Sequence, residues 1–126
     1  MSVGGRHALA ALAYALITAA IFHNLLPVMS THIYSDIGDP LLNASILAWN
    51  ATRLPLTEAW WNYPSFAPLS GVTGWTEHLL GAYPLTTPIV WATGNPVLAY
   101  NVLLVSCFAL NGLAMFALAR ELIQSD

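Results

Sequence analysis

Two acidic residues, Asp36 and Asp39, lie three positions apart in a turn-forming run that ends at Pro40. A carboxylate can act as a general base toward a hydroxyl group, and a pair of carboxylates could bind a divalent cation. Cation sites built from oxygen ligands usually need more than two donors, so a metal at Asp36 and Asp39 is an open alternative to a protein without cofactors. Asp before Pro is also typical of a helix N-cap followed by the first helical residue. The pattern therefore leaves base, cation ligand and helix cap open for Asp39.

Three further side chains are candidates for binding a substrate. Arg53 is the only Lys or Arg between residues 30 and 96, and a guanidinium can bind a lipid phosphate. At the C-terminal end of a helix, an Arg also interacts favourably with the helix dipole. Glu77 and His78 open an apolar segment, where an acid favours the dipole and a single His is usually structural. The structural alternative therefore stays open for each of the three.

Composition decides the class of protein. Of 126 residues, 57% are hydrophobic and 7% are charged, whereas an average soluble domain has roughly 25% charged residues. Three Lys and Arg residues provide no basic patch for nucleic acid. A single cysteine, Cys107, excludes a disulfide framework and a multi-cysteine metal site. The composition and a mean hydropathy of +0.63 indicate an integral membrane protein.

Two uncharged stretches, residues 8–29 and 97–119, are long enough to cross a bilayer as helices. Each would rise roughly 33–35 Å, against a hydrocarbon core of about 30 Å. Asn101 and Asn111 in the second stretch are predicted to hydrogen-bond to neighbouring helices. A cleaved signal peptide is the alternative for the first stretch, but its apolar run exceeds the roughly 7–15 residues of a signal-peptide core. The sequence therefore predicts an all-α membrane protein with two transmembrane helices.

Charge sets the predicted orientation. Arg6 and Arg120 flank the outer ends of the two stretches, and positive residues mark the cytoplasmic side. Residues 30–96 contain four acids and one Arg, a net charge of −3. We therefore expect a multi-pass protein of the inner (plasma) membrane, with residues 1–7 and 120–126 in the cytoplasm and residues 30–96 outside.

The long outer loop should contain a helix over residues 40–54. Leu42, Ile46, Trp49 and Arg53 recur at helical spacing there. This helix is too short and too polar to span, so it is predicted to lie at the membrane surface. Aromatic rings collect at headgroup level, and five of them in this loop are predicted to do so. They are Trp49, Trp60, Trp61, Tyr63 and Trp75.

A third apolar segment follows over residues 77–93, with Thr76 as its predicted cap. Its apolar part, residues 79–93, covers only about 22 Å as a helix and contains Pro84 and Pro88. The segment is therefore predicted to be interfacial or re-entrant. A third span is the alternative, since short tilted or kinked helices do occur, and it would place the C-terminus outside.

Short motifs follow one another along the loop and into the second stretch. They are Gly38-Asp39-Pro40 with Asn43, Leu47, Trp49 and Asn50; Tyr63-Pro64-Ser65-Phe66-Ala67-Pro68; Glu77-His78-Leu79-Leu80-Gly81 with Pro84-Leu85; and Gly94-Asn95-Pro96-Val97-Leu98-Ala99-Tyr100-Asn101. In this order and spacing they resemble the first outer loop of bacterial membrane glycosyltransferases of the GT-C superfamily. No single motif is specific, but the ordered set runs from about residue 37 to residue 120.

The resemblance implies an activity and roles for the candidate residues. Such enzymes pass a sugar, with inversion, from a polyprenyl-phosphate carrier to an acceptor hydroxyl at the outer face. Asp39 occupies the position of their general base. Glu77 and His78 occupy an acid/His position that would place the substrate or hydrogen-bond to the phosphate-linked sugar. Some members of the superfamily use a metal and others do not, so the resemblance leaves the cation at Asp36 and Asp39 open.

Members of the superfamily continue through many more helices, so the chain is expected to be the N-terminal fragment of such an enzyme and to be inactive alone. The expected partners are a polyprenyl-phosphate-linked sugar, membrane lipid and the remaining helices, with no nucleic acid. The alternative is a small non-catalytic membrane protein whose outer loop binds a partner or lipid. The sequence leaves both functions open.

Overall fold

The computed structural model describes residues 3–124, which contain helices and turns and no β-strand. The predicted all-α class is thus confirmed. Five α-helices follow one another along the chain: α1 (Val3–Ile21), α2 (Asp39–Thr52), α3 (Glu58–Trp61), α4 (Tyr83–Thr93) and α5 (Pro96–Gln124). Four short 3-10 helices cover Leu26–Val28, Pro64–Phe66, Val72–Gly74 and Leu80–Ala82.

Two of these helices are long and apolar enough to cross a membrane. The candidate spans are Gly4–Ile21 in α1 and Pro96–Ile123 in α5. At 29 residues, α5 rises about 44 Å, and it extends beyond both ends of the predicted 97–119. The Asn95 side chain caps its N-terminus by accepting a 2.9 Å hydrogen bond from the Leu98 N–H, and Pro96 takes the first helical position.

The first predicted span is helical over a different range than 8–29. α1 begins at Val3, so Arg6 lies in its first turn, and the helix ends at Ile21. The His23 ring contacts the Ala20 carbonyl at 2.9 Å, and Pro27 lies in the 3-10 helix that follows. The hydrogen bond of the ring to a helix carbonyl and the proline that follows both favour the end of a helix. Residues 22–29 therefore form turns and a short 3-10 helix and do not continue α1.

The chain forms two compact units. One contains residues up to Pro27 together with residues from Leu104 onward, and the other is Val28–Leu103. In the first unit α1 packs on the later part of α5. Phe22 and Phe108 meet edge to face with their ring centroids 4.9 Å apart, and Arg120 donates a 3.1 Å hydrogen bond to the His7 ring.

The second unit, called the loop unit below, has its core between α2 and α4. The α2 side chains facing this core are Ala44, Ile46, Leu47, Asn50 and Ala51. Thr86 and Thr87 are the buried residues of α4. The Trp91 indole of α4 donates a 2.7 Å hydrogen bond to the Ala51 carbonyl oxygen, close to the C-terminal end of α2.

The helix predicted over residues 77–93 begins later. Leu79 has a left-handed backbone, with φ at 49°, and a 3-10 turn follows before α4 starts at Tyr83. Since left-handed residues interrupt a right-handed helix, Glu77 and His78 precede α4 and are not in its first turn. Pro88 lies inside α4, whose 11 residues rise about 16 Å.

Candidate functional site

The N-terminal end of α2 holds both acidic candidates. The Asp36 carboxylate accepts a 2.9 Å hydrogen bond from the Gly38 N–H, which closes the turn before the helix. Gly38 is the N-cap residue, and Asp39 and Pro40 are the first helical residues. The predicted N-cap role of Asp39 is therefore wrong, since no side-chain cap bond forms there.

The Asp39 carboxylate is exposed and accepts no hydrogen bond from any residue that the structure describes. It lies in the first turn of α2, where the helix dipole favours a negative charge. Asp36 and Asp39 form what we call the acidic end of α2.

The acidic end supplies few ligands for a cation. Within residues 3–124, no group of three or more His, Cys, Asp or Glu side chains could hold a metal ion. One oxygen of Asp36 is already bonded to the Gly38 N–H. Of the His, Cys, Asp and Glu side chains in the described residues, only Asp36 and Asp39 would therefore be ligands of a cation bound here.

Arg53 lies at the opposite end of α2, as its C-cap residue. Its guanidinium stacks over the Trp49 ring, 4.4 Å from the centroid, and donates a 3.0 Å hydrogen bond to the Thr52 carbonyl oxygen. Arg53 lies 14 positions after Asp39, which corresponds to a rise of about 20 Å. A single sugar-phosphate could not contact both side chains.

Glu77 and His78 also lie away from Asp39. The His78 carbonyl oxygen accepts a 2.9 Å hydrogen bond from the Asn50 amide, in the last turn of α2. The His78 ring accepts a 3.1 Å bond from the Leu80 N–H and lies 6.0 Å from the Trp60 ring. Glu77 is exposed. The structure thus gives His78 a structural role and separates the predicted site residues into two groups.

Trp60 corrects the prediction for the aromatic residues. It is fully buried, and its carbonyl oxygen accepts 2.9 Å hydrogen bonds from the Trp49 indole and the Thr73 hydroxyl. A buried ring cannot lie at headgroup level, so Trp60 is a core residue of the loop unit. Trp61 and Tyr63 are half-buried, whereas Trp75 is exposed.

A shallow groove of about 450 Å³ runs along one face of α2, from Leu41 to Thr52. Tyr63 is hydrogen-bonded to Ser45 in its wall and meets the Trp49 ring edge to face. The sequence carried a signal for it, since the α2 residues of the groove recur at helical spacing and include small side chains. The lining residues are Leu41, Ala44, Ser45, Ala48, Trp49, Thr52, Tyr63, Pro96 and Val97.

Comparisons with protein-family models, with curated proteins and with solved structures find no significant match to this chain. A function must therefore be argued from the acidic end, the groove and the two candidate spans.

Proposed function

We propose that the chain is the N-terminal part of a glycosyltransferase in the inner membrane, which transfers a sugar from a polyprenyl-phosphate carrier to an acceptor hydroxyl at the outer face. The observation that carries this proposal is the Asp39 carboxylate, which is exposed and makes no cap bond in the first turn of α2. A carboxylate with no structural bond is available for chemistry, and the ordered motifs of the loop supply the reaction class.

In this proposal Asp39 acts as the general base. Its carboxylate takes the proton from the acceptor hydroxyl while the acceptor oxygen attacks the anomeric carbon of the donor sugar. The bond from that carbon to the phosphate oxygen breaks on the opposite face, which inverts the configuration. The departing polyprenyl phosphate keeps its tail in the bilayer, with its phosphate at headgroup depth.

The groove is the proposed acceptor site, and it begins at Leu41, two residues after Asp39. Its walls are apolar apart from hydroxyl groups, and Trp49 and Tyr63 provide aromatic rings on which a sugar ring could stack. Arg53, about 20 Å along the helix, is assigned to a lipid headgroup phosphate and not to the donor phosphate that departs near Asp39. Glu77, exposed and outside any helix, would contact substrate only at that same far end.

The test is Asp39→Asn in the full-length enzyme, with transfer from a polyprenyl-phosphate sugar as the measurement. Because Asp39 makes no cap bond, the variant should reach the same membrane level and unfold at the same temperature. Loss of the base should lower the transfer rate about 10²–10⁴-fold.

Asp36→Asn is the matched control. Its side-chain oxygen can still accept the Gly38 N–H, so the turn is kept and the rate should stay within a few-fold of the parent. Transfer by Asp39→Asn within a few-fold of the parent would reject the base assignment.

A further inference from the structure

One part of the loop unit exposes large apolar side chains around a hollow. Phe66, Leu69 and Trp75 are 56%, 70% and 88% exposed, and they line a hollow of about 540 Å³ with Val72, Ser70 and Thr76. We call these six residues the apolar cup. Water-soluble surfaces rarely concentrate exposed apolar side chains in this way, so we expect a lipid or protein surface to cover the cup.

The cup is built on a fixed support. Its Val72 and the adjacent Thr73 are buried, and the Thr73 hydroxyl donates a 2.9 Å hydrogen bond to the Trp60 carbonyl oxygen. The Asn62 side chain accepts a 2.8 Å bond from the Gly71 N–H, and the Leu69 N–H bonds to the Phe66 carbonyl oxygen at 2.9 Å. The apolar side chains are therefore held outward by the core.

Charge is missing from this part of the chain. Residues 59–76 contain no Asp, Glu, Lys, Arg or His, and the nearest acids are Glu58 and Glu77 at the two borders. A protein partner recognised by charge would find no complement here. Contact with lipid favours an uncharged surface, since burying an ionised side chain near the hydrocarbon is costly.

The Trp75 indole adds an independent observation. The indole N–H groups of Trp49, Trp60 and Trp91 each donate to a protein oxygen. Trp75 donates to no residue in the described part of the chain. An exposed apolar ring with a free N–H is typical of the headgroup level, where the ring lies among acyl chains and the N–H bonds to water or lipid oxygens.

The position of the loop unit in the chain also favours the bilayer as the surface that it contacts. The unit, Val28–Leu103, begins after the first candidate span and includes the first eight residues of the second, Pro96–Ile123. If α1 and α5 cross the membrane as proposed, both ends of the unit are attached to it.

We propose that the apolar cup inserts into the outer leaflet, with Phe66, Leu69 and Trp75 among the upper acyl chains and a phospholipid chain in the hollow. This membrane anchor goes beyond the sugar transfer and requires no role for Asp39. It keeps the membrane contact that the sequence analysis predicted for Trp75, withdraws the one predicted for the buried Trp60, and adds Phe66 and Leu69.

The experiment measures the depth of single fluorophores. In a Cys107→Ser background, Trp75→Cys, Leu69→Cys or Ile37→Cys provides a single cysteine. It is labelled with NBD, and the protein is placed in phosphatidylcholine nanodiscs that contain a 5-doxyl lipid. Ile37 is the matched control because it is 78% exposed in the same unit and lies between the acids of the turn. Quenching at 69 and 75 should exceed quenching at 37 by about threefold or more, as expected for acyl-chain against aqueous depth.

Two outcomes overturn the proposal. Equal quenching at 37 and 75 would show that the cup has no preferred contact with lipid. Protection of the cup from aqueous iodide without quenching by the doxyl lipid would show that protein covers it.

Intrinsic fluorescence provides a second measurement on a chain without label. Brominated lipids should quench the parent more than Trp75→Phe, because this variant removes an indole that the proposal places among the acyl chains. An unchanged quenched fraction in this conservative variant would contradict the insertion of Trp75.

Discussion

The indole N–H of Trp60 donates a 2.7 Å hydrogen bond to the side-chain oxygen of Asn50, and both side chains are fully buried. The amide of Asn50 donates in turn to the His78 carbonyl oxygen. One side chain on α2 therefore holds α3 and the segment before α4. Buried polar groups of this kind stabilise a fold only while each is paired, so the network should be sensitive to single substitutions.

Trp60→Phe should destabilise the loop unit strongly. It leaves the Asn50 oxygen buried without a donor, which costs about 1–3 kcal/mol, in addition to the packing lost with the larger ring. Thermal unfolding of the detergent-solubilised protein, followed by circular dichroism, measures the effect. Trp75→Phe is the control and should leave the unfolding temperature unchanged, because that ring is exposed and its N–H has no described partner. Equal effects would contradict the assigned network.

Asn101→Leu should also destabilise the loop unit. The buried Asn101 amide donates bonds of 2.8 and 2.7 Å to the Met29 and His32 carbonyl oxygens. Losing both should cost roughly 2–4 kcal/mol, measured by the same unfolding assay. Asn111→Leu in the same helix removes an exposed amide and is expected to be neutral. A neutral Asn101→Leu would show that these carbonyls do not depend on the side chain.

Gly112→Ala should destabilise the first unit. An added Cβ would collide with the Tyr14 ring, including the ring atom nearest its own backbone. Overpacking of this kind costs about 1–3 kcal/mol, and part of the loss should be recovered by Tyr14→Ala in the same chain. Gly4→Ala is the control, since nothing lies within 4 Å of its added Cβ. Additive losses in the double variant would argue against this contact.

The proposed orientation of the chain in the membrane can be tested with the single cysteine at position 37. In intact cells of the Cys107→Ser background, a cysteine at exposed position 37 should react with a membrane-impermeant maleimide from outside. Green fluorescent protein fused after Asp126 should fluoresce, because the proposed topology returns α5 to the cytoplasm. A fusion found on the outer side would mean that residues 79–93 span the membrane after all.

Continuous patterns in the sequence predicted the helices best. The apolar run of residues 97–119 lies wholly within α5, and the predicted helix 40–54 differs from α2 (Asp39–Thr52) by two residues or fewer at each end. Hydropathy did not show that α1 ends at Ile21, since Phe22, Leu25 and Leu26 are as apolar as the residues before them. The sequence also did not indicate that the helix is interrupted at Leu79, because leucine rarely adopts a left-handed backbone.

The site was predicted incompletely from the sequence because its residues were not compared by their distances in the folded chain. A helix over residues 40–54 already implies about 20 Å between Asp39 and Arg53, so their separation could have been derived from the sequence. The burial of Trp60 could not have been derived from the sequence. Its indole suits either a headgroup or a core, and the choice depends on Asn50, ten positions earlier, and on Thr73.

The loop unit is held together without attraction between ions. Its acidic and basic residues are all exposed, and no ion pair joins two described residues within Val28–Leu103. Dissolved salt screens exposed charges but leaves buried hydrogen bonds and apolar contacts largely unaffected. The unit should therefore keep its fold from low to high ionic strength, as the outer location proposed for it would require.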